Sequence, residues 1–160
     1  MRSGTGRAWA AKTRARQPMA GNLRSLKAYL KIAYDLERFG RYALDISDII
    51  RRIGPWEPFG NGELKIDLIV GKVKEIVRLA LELIETRDQS MICALAETET
   101  QVDELYYENL KALGESKKTD GKTIIADTLL IRYLERIADH ASYIAESIVY
   151  AATGKRFELR

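Results

Sequence analysis

Two pairs of acidic residues in the second half of the sequence have a spacing that suits cation binding. Glu99 and Asp103 are four residues apart, and so are Glu135 and Asp139. On an α-helix, residues four apart lie on one face with their Cβ atoms about 5–6 Å apart. Two neighbouring helices could therefore present four carboxylates to one ion. All-oxygen ligands favour iron, manganese, magnesium or calcium over a closed zinc site.

The neighbours of these acids are more informative than the spacing. Glu99 and Asp103 continue an apolar line along the predicted helix, and Glu135 interrupts a second line. Carboxylates in such positions lose part of their hydration, so they must be protonated, paired with bases or bound to a cation. The alternative to a metal site is therefore pairing with Arg132, Arg136 and other bases at the edge of the bundle.

His140 is the only histidine and follows Asp139 directly. Adjacent residues point about 100° apart around a helix, so we expect His140 to be a packing or surface residue. His140 and Arg136 remain candidates for an additional ligand or a neighbour of the ligands. The sequence contains no Gly-rich phosphate loop, no H-E-x-x-H motif and no nucleophile placed beside a base. We therefore expect no catalytic residues and no enzymatic activity.

The elements that position these acids are predicted to be four helices. Apolar residues recur at helical spacing over residues 22–53, 63–85, 88–113 and 122–152. Asn22 is the predicted N-cap of the first helix, Gly54-Pro55 ends it, and Gly154 is placed for a left-handed C-cap of the last. The apolar line of the first helix consists of Leu23, Leu26, Leu30, Ala33, Leu36, Phe39, Ala43, Ile46 and Ile50.

Charge is distributed unevenly along the chain. The net charge is +3, yet residues 1–34 carry eight bases and no acid. Residues 1–21 are predicted to be a basic mobile arm, and residues 22–155 the folded domain. We do not expect the arm to bind nucleic acid, since no nucleic-acid-binding fold accompanies it. Cys93 is the single cysteine and no apolar run approaches about 20 residues, which predicts a cytoplasmic protein without a transmembrane segment.

An internal repeat links the first and last helices. Residues 35–50 and 133–148 share six identities in sixteen aligned positions, including a Leu-Glu-Arg triplet in the same phase. Chance similarity between amphipathic helices is the alternative to a duplication. The matching polar residues favour a duplication, in which the two helices are equivalent elements.

Residues 133–141 (YLERIADHA) and 144–150 (IAESIVY) resemble the last helix of the PhoU family, and residues 97–106 (ETETQVDELY) resemble the helix before it. Residues 35–40 are similar to the equivalent helix of the first PhoU repeat. The resemblance implies an all-α antiparallel bundle: a complete three-helix repeat over residues 63–152, preceded by one extra long helix over residues 22–53. Two helices of the usual first repeat have no counterpart in this sequence.

The same resemblance implies a function. PhoU proteins regulate phosphate uptake, which suggests a non-enzymatic, metal-binding adaptor that contacts a phosphate ABC transporter and a sensor kinase, with peripheral membrane association through the transporter. It favours iron at Glu99, Asp103, Glu135 and Asp139, with zinc, manganese or magnesium as alternatives. The equivalent site of the first repeat is degenerate, because Arg41 stands where an acid is expected and can pair with Glu37.

Two other functions remain open, namely a metal-dependent enzyme or metal store that uses the four carboxylates, and a metal-free structural module. We also expect a homodimer, because the apolar line of the first helix needs cover from the bundle or from another chain.

Overall fold

The computed structural model describes residues 20–56, 64–116 and 120–159. Four helices make up most of this part of the chain: α1 (Ala20–Ile53), α2 (Ile66–Thr86), α3 (Ile92–Glu115) and α4 (Gly121–Thr153). A short 3-10 turn, Gln89–Met91, precedes α3. The described residues contain no β-strand. The predicted all-α fold is confirmed, and each helix begins and ends within a few residues of its predicted limits.

The helix ends show which local predictions hold. Asn22 was expected to cap α1, but α1 already includes Ala20 and Gly21, so Asn22 lies inside the helix. The rest of the predicted arm, residues 1–19, lies outside the described residues. Gly54 follows α1 with φ of +87° and donates its N–H to the carbonyl of Ile50 at 2.9 Å. Gly154 follows α4 with φ of +74°, as its predicted left-handed cap requires.

The longest packing surfaces all involve α4, which contacts α1, α2 and α3. Contacts between α1 and α4 join Arg24 to Ala151, Asp35 to His140 and Tyr42 to Tyr133. Residue numbers rise along α1 as they fall along α4, so these two helices are antiparallel. The short turn between α2 and α3 makes those helices antiparallel as well. The protein is therefore a three-helix bundle with α1 laid along its central helix.

In addition to a small cluster of Leu64, Leu113 and Ile131, one larger apolar core lies between the helices. It is built mainly from α2 and α4, with two residues of α3 and one of α1. Its buried members are Ile32, Ile69, Val73, Ile76, Leu79, Ala80, Leu83, Leu95, Val102, Leu134, Ile137, Ala138, Ala141, Ile144, Ala145 and Ile148. Because α4 packs against each of the other three helices, the positions of its acids depend on the packing of the whole bundle.

The predicted apolar line of α1 mixes two faces of the helix. Leu23, Leu26 and Leu30 are 51–65% exposed, whereas Leu36 and Phe39 pack against the core. The line winds around the helix because its members are on average about 3.4 residues apart, less than the 3.6 residues of one turn. Thus α1 carries an inner apolar face against α4 and a second, exposed one.

Candidate functional site

The structure places the four predicted acids on two neighbouring helices. Glu99 and Asp103 lie on α3, and Glu135 and Asp139 lie on α4, which packs against α3. Glu99, Glu135 and Asp139 are buried, and Asp103 is half-buried. The expectation that these carboxylates are desolvated is therefore confirmed. Their charge must be compensated inside the bundle.

Two arginines of α4 supply compensation. The Nη1 atom of Arg132 lies 2.9 Å from Oε2 of Glu135, and Nη1 of Arg136 lies 2.8 Å from Oδ2 of Asp139. The Nε atom of Arg136 is also 3.6 Å from Oε2 of Glu135. The side chain of each arginine is about one third exposed, so it stays in contact with water while it pairs with a buried carboxylate. Arg136 was named as a neighbour of the ligands, and the structure shows it as their direct partner.

The arrangement bears on the predicted metal site. In the part of the chain that the structure describes, no three His, Cys, Asp or Glu side chains come together as a group that could hold a metal ion. The acids therefore do not form a ligand set in this conformation, in which Arg132 and Arg136 contact one carboxylate oxygen each of Glu135 and Asp139. Cation binding by Glu99, Asp103, Glu135 and Asp139 stays a prediction, and the arginine pairing fits the alternative that the sequence left open.

A second buried polar contact joins α1 to α4. Asp35 is completely buried, and its Oδ1 lies 2.8 Å from Nδ1 of His140. Lys31 reaches the same carboxylate, with Nζ 2.7 Å from Oδ2. His140 is thus a packing histidine, one of the two roles expected, and it is buried rather than on the surface. Its Nδ1–H can donate to Asp35 and hold the two helices in register.

Sequence reasoning missed Asp35, although a signal was present. Asp35 lies between Ile32 and Phe39 on the inner face of α1, so an acid interrupts an apolar line there, as at Glu135. The predicted apolar line of α1 passed through Ala33 and Leu36 instead of Ile32 and Asp35, so Asp35 was not recognised as an acid on the buried face.

Three tyrosine rings surround His140. The ring centroids of Tyr34, Tyr42 and Tyr143 lie 6.1, 5.7 and 5.4 Å from that of His140. Burial raises the pKa of Tyr143, and the negative charges of nearby acids, Glu146 first among them, raise it further. Lys31 lies 4.8 Å over the Tyr143 ring, a distance typical of a cation–π contact. The cluster anchors α1 on α4 through polar and aromatic contacts together.

The predicted pairing of Glu37 with Arg41 is wrong. Arg41 lies nearest Asp45, with 3.8 Å between Nε and Oδ1, and Glu37 lies nearest Arg38 at 3.9 Å. Acids lie four residues from Arg41 in both directions, Glu37 before it and Asp45 after it, and Arg41 contacts Asp45. Glu37 and Arg41 are both exposed, so these two positions do not reproduce the buried acids of α4.

A cleft of about 370 Å³ opens between α1, the end of α4 and the segment after α4. Its lining includes Lys27, Glu146, Tyr150 and Glu158. The backbone N–H of Leu159 donates to Oε1 of Glu146 at 3.1 Å. Burial raises the pKa of Glu146 and the charge of Glu158 raises it further, while the Leu159 hydrogen bond and Lys31 oppose that shift. Acids and bases are mixed in this cleft, so its charge favours no ligand of one sign.

Comparison with known proteins identifies the family. The model of the PhoU domain matches residues 7–50 and 66–148, which together make up most of the chain. The chain belongs to the PhoU domain family. The matched segments include most of α1 and nearly all of α2, α3 and α4, so both helices that carry the candidate acids lie inside the match.

Several PhoU relatives are similar along most of this chain, and each is described as a phosphate-specific transport system accessory protein PhoU homolog. The Synechocystis sp. protein is 31% identical in an alignment 151 positions long, which covers 87% of this chain and 62% of the relative. The Clostridium acetobutylicum protein is 29% identical over 89% of this chain and 67% of its own length. The Zymomonas mobilis protein is 33% identical over 91% of this chain and 62% of its own length. This chain therefore spans 62–67% of the length of these relatives. Across the described residues, no helix of this PhoU protein is long and apolar enough to cross a membrane.

Proposed function

We propose that this PhoU protein acts as a non-enzymatic accessory protein of a phosphate-specific transport system and regulates phosphate uptake. The observation that carries the proposal is the identity of about 30% to PhoU homologs over nearly nine tenths of the chain. Because the relatives are about half as long again, their activity comes to this chain as a proposal. Contact with a phosphate ABC transporter and a sensor kinase, in the cytoplasm, belongs to the same proposal.

The described geometry supports an adaptor better than an enzyme. Three buried acids of the bundle are paired with bases: Glu135 and Asp139 with arginines, and Asp35 with His140 and Lys31. Such contacts hold helices in place, whereas a general acid or base must have a proton available to a substrate in a cleft. The chain therefore suits a rigid helical surface on which other proteins bind.

Cation binding at Glu99, Asp103, Glu135 and Asp139 is a separate proposal within this function. The family resemblance favours iron there, with zinc, manganese or magnesium as alternatives. The pairing of Glu135 and Asp139 with Arg132 and Arg136 supports the competing proposal, in which guanidinium groups take the place of a metal.

Deletion of the gene, followed by measurement of phosphate uptake in phosphate-rich medium, tests the transport role. We expect uptake to rise in the deletion strain and to return to its original rate when the full chain is supplied. The tagged chain should also retain the ATPase subunit of the phosphate transporter from a cell extract. Unchanged uptake, together with no retained ATPase, would reject the proposal.

A further inference from the structure

The first half of α1 has one face that no other described helix covers. Leu23, Leu26 and Leu30 lie on this face within about 60° of each other around the helix, and their exposed fractions are 51–65%. Tyr29 and Tyr34, each 47% exposed, lie on its two sides. We call these five residues the leucine face. Single exposed apolar side chains are normal on a soluble protein, whereas a contiguous group of them marks a binding surface.

The chain around the leucine face is basic. Residues 20–34 contain no acid and three bases, namely Arg24, Lys27 and Lys31. Residues 1–19 carry five further bases and no acid in the sequence. Asp35 is buried against His140, so Glu37, beyond the leucine face, is the first exposed acid of α1. The face therefore belongs to a part of the chain that attracts anions.

A base lies at each border of the leucine face. Lys27 is exposed and adjoins Tyr34 around the helix. Arg87, in the turn after α2, lies at the other border, with its guanidinium 5.2 Å from the centre of the Tyr29 ring. The Nη2 atom of Arg87 donates to the Tyr29 hydroxyl oxygen at 3.4 Å, which leaves the O–H of Tyr29 free to donate to a further acceptor.

A cleft beside Tyr29 and Arg87 has the size and the donors for a phosphate group. Its volume is about 270 Å³, and Ser25 and Gln89 also line it. The guanidinium, the two hydroxyls and the side-chain amide are all hydrogen-bond donors, and the guanidinium adds the positive charge that makes a bond to phosphate strong. Because Ser25 and Tyr29 each precede an exposed leucine, a headgroup in this cleft lies beside the leucine face.

We propose that the leucine face docks directly on a membrane surface that contains anionic lipids. Leucines enter the boundary between headgroups and acyl chains, tyrosines favour that boundary, and Lys27 and Arg87 attract the lipid phosphates. From Leu23 to Tyr34 the face is about 17 Å long, so α1 lies flat on the membrane instead of crossing it. This contact requires neither the transporter nor any other protein, so it is independent of the transport role.

Sedimentation of the full chain with lipid vesicles tests this contact without the transporter. We expect the protein to sediment with vesicles that contain phosphatidylglycerol and to stay in solution with vesicles of phosphatidylcholine alone. Binding should weaken when the ionic strength rises from about 0.1 M to about 1 M, because the screening length then falls from about 10 Å to about 3 Å. No sedimentation with phosphatidylglycerol vesicles, or equal sedimentation with both kinds, would overturn the proposal.

Substitutions separate the apolar part of the contact from the electrostatic part. Leu26→Gln/Leu30→Gln should weaken vesicle binding by more than about tenfold, because both leucines lose their contact with the acyl chains. The matched control is Leu68→Gln/Leu81→Gln, which changes two leucines of α2 that are 59% and 44% exposed. The control should bind vesicles like the wild type, and an equal loss in both double variants would contradict docking by the leucine face.

The basic borders are tested in the same way. Lys27→Gln and Arg87→Gln should each weaken vesicle binding about fivefold, the effect expected of one base near an anionic surface. Lys74→Gln, which removes an exposed lysine of α2, should leave binding unchanged. Equal effects of the three substitutions would mean that only the total charge of the protein matters, and this result would also overturn the proposal.

Tryptophan quenching by brominated lipids shows directly which face meets the membrane. The emission added by Leu30→Trp should be quenched when the phosphatidylglycerol vesicles carry bromine on their acyl chains, and the emission added by Leu68→Trp should not. Equal quenching in the two variants would place another surface on the membrane. If the wild type ignores vesicles while Leu26→Gln/Leu30→Gln alters its mass in light scattering, the leucine face meets protein, and lipid docking is rejected.

Discussion

Replacing Arg136 by glutamine tests whether arginine, rather than a metal, compensates the buried acids of α4. The substitution removes the guanidinium that lies 2.8 Å from Asp139 and 3.6 Å from Glu135, and it leaves a shorter, neutral side chain. The Asp139 side chain is only 2% exposed, so little water can replace the lost partner. The carboxylate then remains in a poorly hydrated position with less opposing charge.

The size of the effect follows from the burial of both partners. Removal of one member of a fully buried ion pair costs about 3–5 kcal/mol. Arg136 is 36% exposed, so screening by water lowers the expected loss of unfolding free energy to about 2 kcal/mol. Asp139→Asn in the same background should recover part of that loss, because it removes the unpaired charge. The coupling energy between the two sites should be about 1–2 kcal/mol.

Urea unfolding of the two single variants, the double variant and the wild type measures this coupling. Arg78→Gln is the control, since Arg78 pairs with Glu82 at 3.3 Å on an exposed part of α2. We expect the control to change the unfolding free energy by less than about 0.5 kcal/mol. An Arg136→Gln variant as stable as the control, or an additive double variant, would refute the reasoning that Arg136 compensates these acids.

Three further predictions test other features. If the acids of α3 and α4 hold a cation, added iron or manganese should raise the melting temperature, and Glu135→Gln should weaken that rise much more than Glu37→Gln. Calorimetry that shows no binding of the metal, or equal effects of the two substitutions on the melting temperature, would contradict the metal proposal. Gly154→Ala should lower the unfolding free energy by about 1–2 kcal/mol, because the φ of Gly154 is +74°, in the left-handed region. Gly71→Ala, inside α2, should raise the unfolding free energy by about 0.5–1 kcal/mol. Equal effects of the two substitutions in thermal unfolding would reject this difference between the two glycines. The raised pKa of Glu146 means that the folded protein keeps a proton which the unfolded chain has already lost, so stability falls as pH rises from the ordinary carboxyl pKa through the raised one. Glu146→Gln should therefore gain stability over the wild type at neutral pH but not below that window, and a pH-independent difference in urea unfolding would exclude this cause.

The helices and most of their ends could be predicted because those signals are local. Apolar residues at helical spacing set the four helices, and Gly54 and Gly154 end α1 and α4 through backbone angles that glycine adopts readily. The prediction that Asn22 caps α1 is wrong because an N-cap residue must be preceded by non-helical residues. Ala20 and Gly21 are already helical, so Asn22 lies inside α1.

The candidate site could be predicted in part. Burial of Glu99 and Glu135 followed from their positions on apolar lines, and the structure confirms it. Asp103, on the same line as Glu99, is only half-buried, and the burial of Asp139 had no such signal. The choice between arginine and metal could not be made from sequence, since Arg132 and Arg136 can turn towards Glu135 and Asp139 or away from them. The Asp35–His140 contact joins residues 105 positions apart, so it depended on knowing which face of α1 meets α4.

The attachment of α1 through α4 also determines how the protein opens. Among the described helices, α1 has its extensive packing with α4, while α2, α3 and α4 share contacts with one another. α1 can therefore detach by losing one surface, whereas α4 can unfold only with the whole bundle. Amide hydrogens near Asp35 should exchange with solvent through this partial opening, and those near Ile144 only through global unfolding. Such an opening would uncover the surface of α4 that faces α1 while the other three helices stay folded.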